Sequence, residues 1–194
     1  MCRVEKAKPV GRPPNTATSA ALKEAALRLM RENGFRKVSI TDIASAAGVA
    51  RQTLYNRWKT KADLVLKAVF EETALVAAEP DAAGEESCRV QLERFLSNVF
   101  RHVERDGDAM RSLIAAAQED EAFQEEFRTR FILPREEMVT GLLRRAQERG
   151  EIGRNRDPEL LSTLIHGAMW YRMLNGQVVG SAFAHDIVEE VFRS

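Results

Sequence analysis

Cysteine is nearly missing: Cys2 and Cys88 are the only two, and they lie too far apart in sequence to suggest a disulfide framework or a zinc cluster. A reducing, cytoplasmic setting is the simplest expectation. No apolar run approaches the roughly 20 residues that a membrane-spanning helix needs, and the N-terminus lacks a signal-peptide stretch, so no membrane partner is expected. The three histidines, His102, His166 and His185, show no ligand spacing, and no metal is expected. A glycine-rich phosphate cradle, an elbow around a nucleophilic serine and a cysteine–histidine motif are all missing, which argues against an enzyme and gives no reason to expect a cofactor. Period-2 runs of β-branched residues are missing as well. What remains is apolar recurrence at three- and four-residue spacing, so the expected fold is all-α.

Net charge is also zero, with 29 basic and 29 acidic residues, but the zero is a cancellation. Residues 1–61 carry 13 Lys and Arg against 4 Asp and Glu, a net of +9; the remainder carries 16 against 25, a net of −9. A basic front suits a polyanionic partner, and an acidic, apolar-rich back suits a different task. The chain therefore divides into a basic arm (1–15), a second basic unit suited to a polyanion (16–61) and a larger helical unit (62–194).

Helix signals place the elements. A first helix is expected from Thr16 to Asn33, ended by Gly34. Ser39 with Asp42 forms a capping box for a short helix that stops at Gly48, and another short helix follows from Arg51 to Trp58. Thr60 with Asp63 opens a long fourth helix, and the segment from Pro80 to Glu86 is the candidate linker. Beyond it, helices are expected over Glu86–Glu104, Ala109–Glu119, Glu121–Arg149, Pro158–Leu174 and Ala182–Phe192, with a kink at Pro134 and a cap at Asp157.

Two short helices joined through Gly48-Val49, with Ala44, Ala46 and Ala47 before the turn, have the form of a helix-turn-helix. Ile43, Ala44, Val49 and Leu54 are expected inside, leaving Arg51, Gln52, Thr53, Tyr55 and Asn56 for double-stranded DNA. Arginine can donate twice to guanine, glutamine can pair with adenine, and threonine can meet a thymine methyl. The stretch from Leu22 to Val65 closely resembles the N-terminal domain of the TetR family, through Gly34-Phe35, Thr41-Asp42-Ile43-Ala44, Ala47-Gly48-Val49, Thr53-Leu54-Tyr55, Trp58 and Lys61. The resemblance implies that Arg51, Gln52, Thr53 and Tyr55 face bases, that Thr41, Asn56, Arg57 and Lys61 hold phosphates, and that Leu54 and Trp58 are core. Ala50 departs from the family pattern, where serine often caps the recognition helix. Gly11-Arg12-Pro13-Pro14 in the arm resembles a minor-groove hook with Arg12 entering the groove, although a basic tail acting only on phosphates is an equal alternative.

The C-terminal run from Arg156 to Gln177 is similar to the regulatory domain of one TetR subgroup. Leu161, Leu164 and Ile165, with Ala184, Ile187, Val188 and Val191, form two apolar stripes that the resemblance assigns to a homodimer interface; the alternative is that they face their own core. A twofold dimer implies a palindromic operator. Phe95, Phe123, Phe127, Phe131, Met138, Met169 and Trp170 are candidates to line a cavity for a small-molecule effector, with His102, His166, Tyr171 or Arg172 as polar contacts, and core packing is the alternative for each. The resemblance implies a ligand-responsive regulator, commonly a repressor, in which effector binding shifts the fourth helix and lowers operator affinity. A non-specific architectural DNA-binding protein is the alternative.

Overall fold

Helix caps set most boundaries of the chain, which a computed structural model describes over residues 16–76 and 85–193. The arm with Arg12 and most of the expected linker lie outside the described residues. Among those residues there are nine α-helices and no strand. The first four are α1 (Thr16–Asn33), α2 (Ile40–Ala46), α3 (Arg51–Tyr55) and α4 (Lys61–Val76). The remainder are α5 (Cys88–Ala117), α6 (Glu121–Phe127), α7 (Leu133–Glu148), α8 (Pro158–Leu174) and α9 (Ser181–Val191).

The expected capping box forms: the Asp42 amide donates to Ser39 Oγ at 3.2 Å and the Ser39 amide donates to Asp42 Oδ2 at 2.8 Å. Thr60 Oγ1 accepts the Asp63 amide at 3.0 Å to open α4, and Asp157 Oδ1 accepts from the Glu159 and Leu160 amides at 2.9 and 3.1 Å to open α8. Each cap satisfies amides that the first turn of a helix leaves without an internal partner.

Two expectations about the second half differ from the structure. Residues 88–117 form one helix, not two, and Gly107 lies inside it. An interior glycine costs only about 1 kcal/mol, and buried Val103, Ala109, Met110 and Leu113 on both sides of it outweigh that cost. The expected helix over Glu121–Arg149 runs on without a break to Glu148, but its irregularity is a five-residue π-turn (Arg128–Ile132) between α6 and α7 and not a kink at Pro134 itself. Pro134 lies just after that wide turn, in the first turn of α7, and its ring has no N–H to give to a carbonyl of the turn.

One contiguous apolar core runs from Leu22 to Val191. Leu64, Val65 and Leu66 of α4 are consecutive and all fully buried, which requires neighbours around most of the helix. α1 packs on one part of α4 and α5 on another, so α4 joins the two units of the chain. α7 carries α8, and α5 carries α9.

Candidate nucleic-acid interface and effector cavity

The turn between α2 and α3 depends on Gly48, whose φ of +65° lies in the left-handed region. The Val49 amide donates to the Ala44 carbonyl at 2.9 Å and closes the turn. Leu54 and Trp58 are buried, as the resemblance implied. Pinned on that side, α3 turns Arg51, Gln52, Tyr55 and Asn56 to solvent, with Tyr55 52% exposed; Thr53 is half-buried and Thr41 lies half-buried on α2. Gln52 Nε2 donates to Asn56 Oδ1 at 3.1 Å, which aligns two side chains suited to reading or positioning DNA.

Ala50 occupies the N-cap of α3 in extended geometry and supplies no side-chain hydrogen bond. Ala50→Ser is therefore expected to stabilise the protein by about 1 kcal/mol and to tighten DNA binding; thermal melts and operator titration check both.

Two residues expected at phosphates are turned toward the protein. Lys61 Nζ donates to the Phe35 carbonyl at 2.6 Å and the Val38 carbonyl at 3.0 Å, and it sits 4.0 Å from the Phe35 ring centroid. Burial pushes its pKa below the ordinary lysine value. Its ammonium holds the start of α4 against the loop between α1 and α2, a structural task that the sequence pattern does not separate from phosphate binding. Lys61→Ala strips both carbonyls of a donor and is expected to cost about 1–3 kcal/mol in denaturant melts. Arg57 Nη1 donates to Ser19 Oγ, tying the segment after α3 to α1.

Between α5, the π-turn, α7 and α8 lies an apolar cavity of about 50 Å³. Phe95, His102, Phe131, His166, Met169 and Trp170 line it, so six of the eleven candidate positions come together. Phe127 does not line it; the ring is buried between Phe123 and Phe131. Phe123 and Met138 are likewise outside the lining, Tyr171 faces solvent, and the Arg172 guanidinium stacks 3.6 Å over the Phe183 ring. Several apolar lining residues, Phe100 and Met110 among them, escaped the sequence reading, and so did one charged one, Arg135. Its guanidinium lies 3.7 Å from the Phe131 ring centroid, and Nη1 donates to the Phe131 carbonyl at 2.9 Å. Pro134, next to it in sequence and just after the π-turn, is the available signal for it.

His166 Nδ1 lies 2.8 Å from the Ser162 carbonyl, which can only accept, so Nδ1 carries the proton. Burial holds the His166 pKa below 6.5 despite that bond. An unfolded chain therefore takes up a proton that the folded chain refuses, and stability falls as pH drops through about 6.5. His185 has the opposite sign: its contact with Glu93 raises its pKa, so its contribution is present at low pH and fades as pH rises. Subtracting the pH dependence of melting of His166→Gln from that of the wild type is expected to isolate the acid-side loss.

A row of aromatic rings connects the cavity with the DNA-binding unit. Phe131 stacks on Phe127 at 5.0 Å between centroids, Phe127 meets Phe123 at 6.3 Å, and Phe123 stacks on Phe35 at 4.8 Å. Phe35 is the residue whose ring and carbonyl hold Lys61. Around the same junction the Phe35 amide donates to Ser112 Oγ, Arg36 pairs with Glu119, and Arg130 of the π-turn donates to Asp63 Oδ1 at 2.7 Å.

Comparison with known proteins bears on both halves. Residues 22–68 match the family described as bacterial regulatory proteins, tetR family, and residues 82–191 match the tetracyclin repressor-like C-terminal domain. An HTH-type transcriptional regulator of Bacillus subtilis, YdeS, is 34% identical over 94% of this chain and 92% of its own length. The chain belongs to the TetR family of transcriptional regulators. A DNA-binding transcriptional repressor of Mycobacteroides abscessus, also called TetR, is 26% identical over 89% of this chain and 90% of its own. The crystal structure of another TetR family transcription regulator superposes with a TM-score of 0.70 at 27% identity, covering 90% of this chain and 96% of that one.

In this TetR-family chain the residues expected at a dimer interface separate into two groups. Ala184 and Val188 are fully buried inside the chain's own core on the α5 side of α9, which corrects their assignment to an interface. Leu161, Leu164, Ile165, Ile187 and Val191 border a surface groove between α8 and α9 of about 380 Å³. Of these only Leu164 is strongly exposed, at 58%. It continues along α8 as a stripe of exposed Leu160, Leu164, Tyr171 and Leu174, with exposed Gly167 between. The spacing of that stripe alternates four and three, as in a helix-pairing seam. Sequence reasoning missed Leu160, Tyr171 and Leu174 because α8 is apolar around most of its circumference, which hides which side faces inward.

Proposed function

We propose that the protein is a ligand-responsive transcriptional repressor. It binds a palindromic operator as a homodimer, and a small apolar or amphipathic effector in the α5–α8 cavity releases it. It works in the cytoplasm; among the described residues no helix is long and apolar enough to cross a membrane. One observation carries the reading: packed rings run from the cavity to Phe35, in the loop between α1 and α2, whose ring and carbonyl hold Lys61 at the start of α4.

Arg51, Gln52, Thr53 and Tyr55 read bases, and Thr41 and Asn56 position the backbone. Arg57 and Lys61 brace the unit from within. Homodimerisation through the α8 stripe places two copies of α3 in successive major grooves, about 34–36 Å apart. The named repressor among the relatives supports repression as the outcome. Effector and operator then compete through a coupling of about 1–3 kcal/mol, a change in operator affinity of roughly 5–150-fold.

Selection from random duplexes at near-physiological salt tests the reading, because phosphate attraction alone gives affinity without sequence preference. Recovery of an inverted repeat is expected. Equal binding to unrelated duplexes overturns the operator reading in favour of an architectural role.

A further inference from the structure

The cavity is too small and too selectively lined for an undirected hydrophobic store. At about 50 Å³ it falls far below the roughly 300–1,000 Å³ of ordinary small-molecule pockets. Any organic ligand must open it, which favours a compact one, and flexible Met110 and Met169 in the wall are the side chains best able to yield.

Polarity is concentrated in a few residues of an otherwise apolar lining. Arg135 brings a guanidinium whose plane is fixed twice by one residue of the π-turn, through stacking on the Phe131 ring and donation to the Phe131 carbonyl. Desolvation lowers its pKa to about 10, a measure of how poorly this wall solvates a cation. His166 stands near enough for the Arg135 charge to depress its own titration. With Nδ1 on the Ser162 carbonyl, its Nε2 is an acceptor when neutral and becomes a donor on protonation.

We propose that the effector is a compact monoanionic acid, an aromatic or short aliphatic carboxylate, with its apolar body among Phe95, Met169 and Trp170 and its carboxylate on the Arg135 guanidinium. The planar fork of arginine matches a carboxylate with two parallel hydrogen bonds, and in an apolar wall such a charge-assisted pair is stronger than a neutral one. A cationic ligand would meet repulsion from Arg135, and a purely hydrocarbon ligand would leave the guanidinium with less solvation than it had before. The anion also favours protonation of His166, which turns Nε2 into a second donor. Because Arg135 and Phe131 belong to the π-turn and the start of α7, the carboxylate sits where the row of rings toward Phe35 begins. The inference rests on the reading of this cavity as the effector site.

Isothermal calorimetry on the full chain with benzoate, phenylacetate and butyrate, each paired with its own primary amide, tests the charge requirement at constant shape. At least one acid is expected to bind about tenfold or more tightly than its amide, the difference between a charge-assisted and a neutral hydrogen-bonded pair. Arg135→Gln is expected to abolish the preference, and Arg135→Lys, which keeps the charge, to retain part of it. Equal affinity for acid and amide, preference for the amide, or no binding by any member at millimolar concentration overturns the proposal. The operator selection is read separately on the same protein. Sequence-specific DNA binding without acid preference removes only the anionic effector, whereas loss of sequence-specific binding removes the regulator reading whatever the acids do.

Discussion

Leu164→Asp is expected to convert the protein to a monomer at micromolar concentration and to weaken operator binding by about 100-fold or more, the scale of avidity lost when two linked contacts become independent. The side chain is 58% exposed in the single chain, so a carboxylate there is solvated and the subunit still folds. Across a twofold seam the same carboxylate would meet its symmetry mate and the apolar stripe, and burying it without a partner costs several kcal/mol. Sedimentation velocity reads the association state, and titration of a full palindrome against a single half-site reads the lost avidity. Half-site affinity is expected to change little, because α3 and its supports are untouched. Leu164→Ile keeps the apolar surface and is expected to keep the dimer. If Leu164→Asp remains dimeric with full operator affinity, the α8 stripe is not the interface.

Much of the DNA-binding unit is legible in the sequence because its constraints are local. Ser39 and Asp42 cap α2 across three residues, Gly48 supplies a backbone conformation that side-chain-bearing residues resist, and Leu54 and Trp58 sit at helical spacing. The cavity is legible in composition: six expected lining residues meet although they come from three separate segments of the chain. What is not legible depends on contacts distant in sequence. Lys61 reads as a cation for phosphate until Phe35 and Val38 are seen to present carbonyls to it. The continuity of α5 through Gly107 depends on packing that outweighs a weak local penalty. Arg135 reads as a solvated helical charge, and only the π-turn before Pro134 sets it against Phe131 in the cavity wall. The apolar residues of α9 fit an inner or an outer face equally well in one dimension, and packing on α5 decides for the inner face.

Paired substitutions at Phe123 and Phe127 are expected to separate stability from communication. Both rings are buried, and truncation of either to alanine should cost about 3–5 kcal/mol, measured in denaturant melts. Their neighbours differ. Phe123 stacks at 4.8 Å and nearly parallel on Phe35, within the loop that receives Lys61, whereas Phe127 contacts only rings of the regulatory unit among the ring pairs described. Loss of the Phe123 ring frees Phe35 to shift and loosens the carbonyl that holds the α4 ammonium, so the placement of α2 and α3 becomes less fixed. Phe123→Ala is therefore expected to weaken operator binding by a further 1–2 kcal/mol, roughly 5–30-fold, under conditions where the variant is folded. Phe127→Ala, equally destabilised, is expected to keep near wild-type operator affinity. Equal operator affinity for the two variants would show that the rings serve only as core, and communication between cavity and DNA would then have to pass through the Arg130–Asp63 contact at the start of α4.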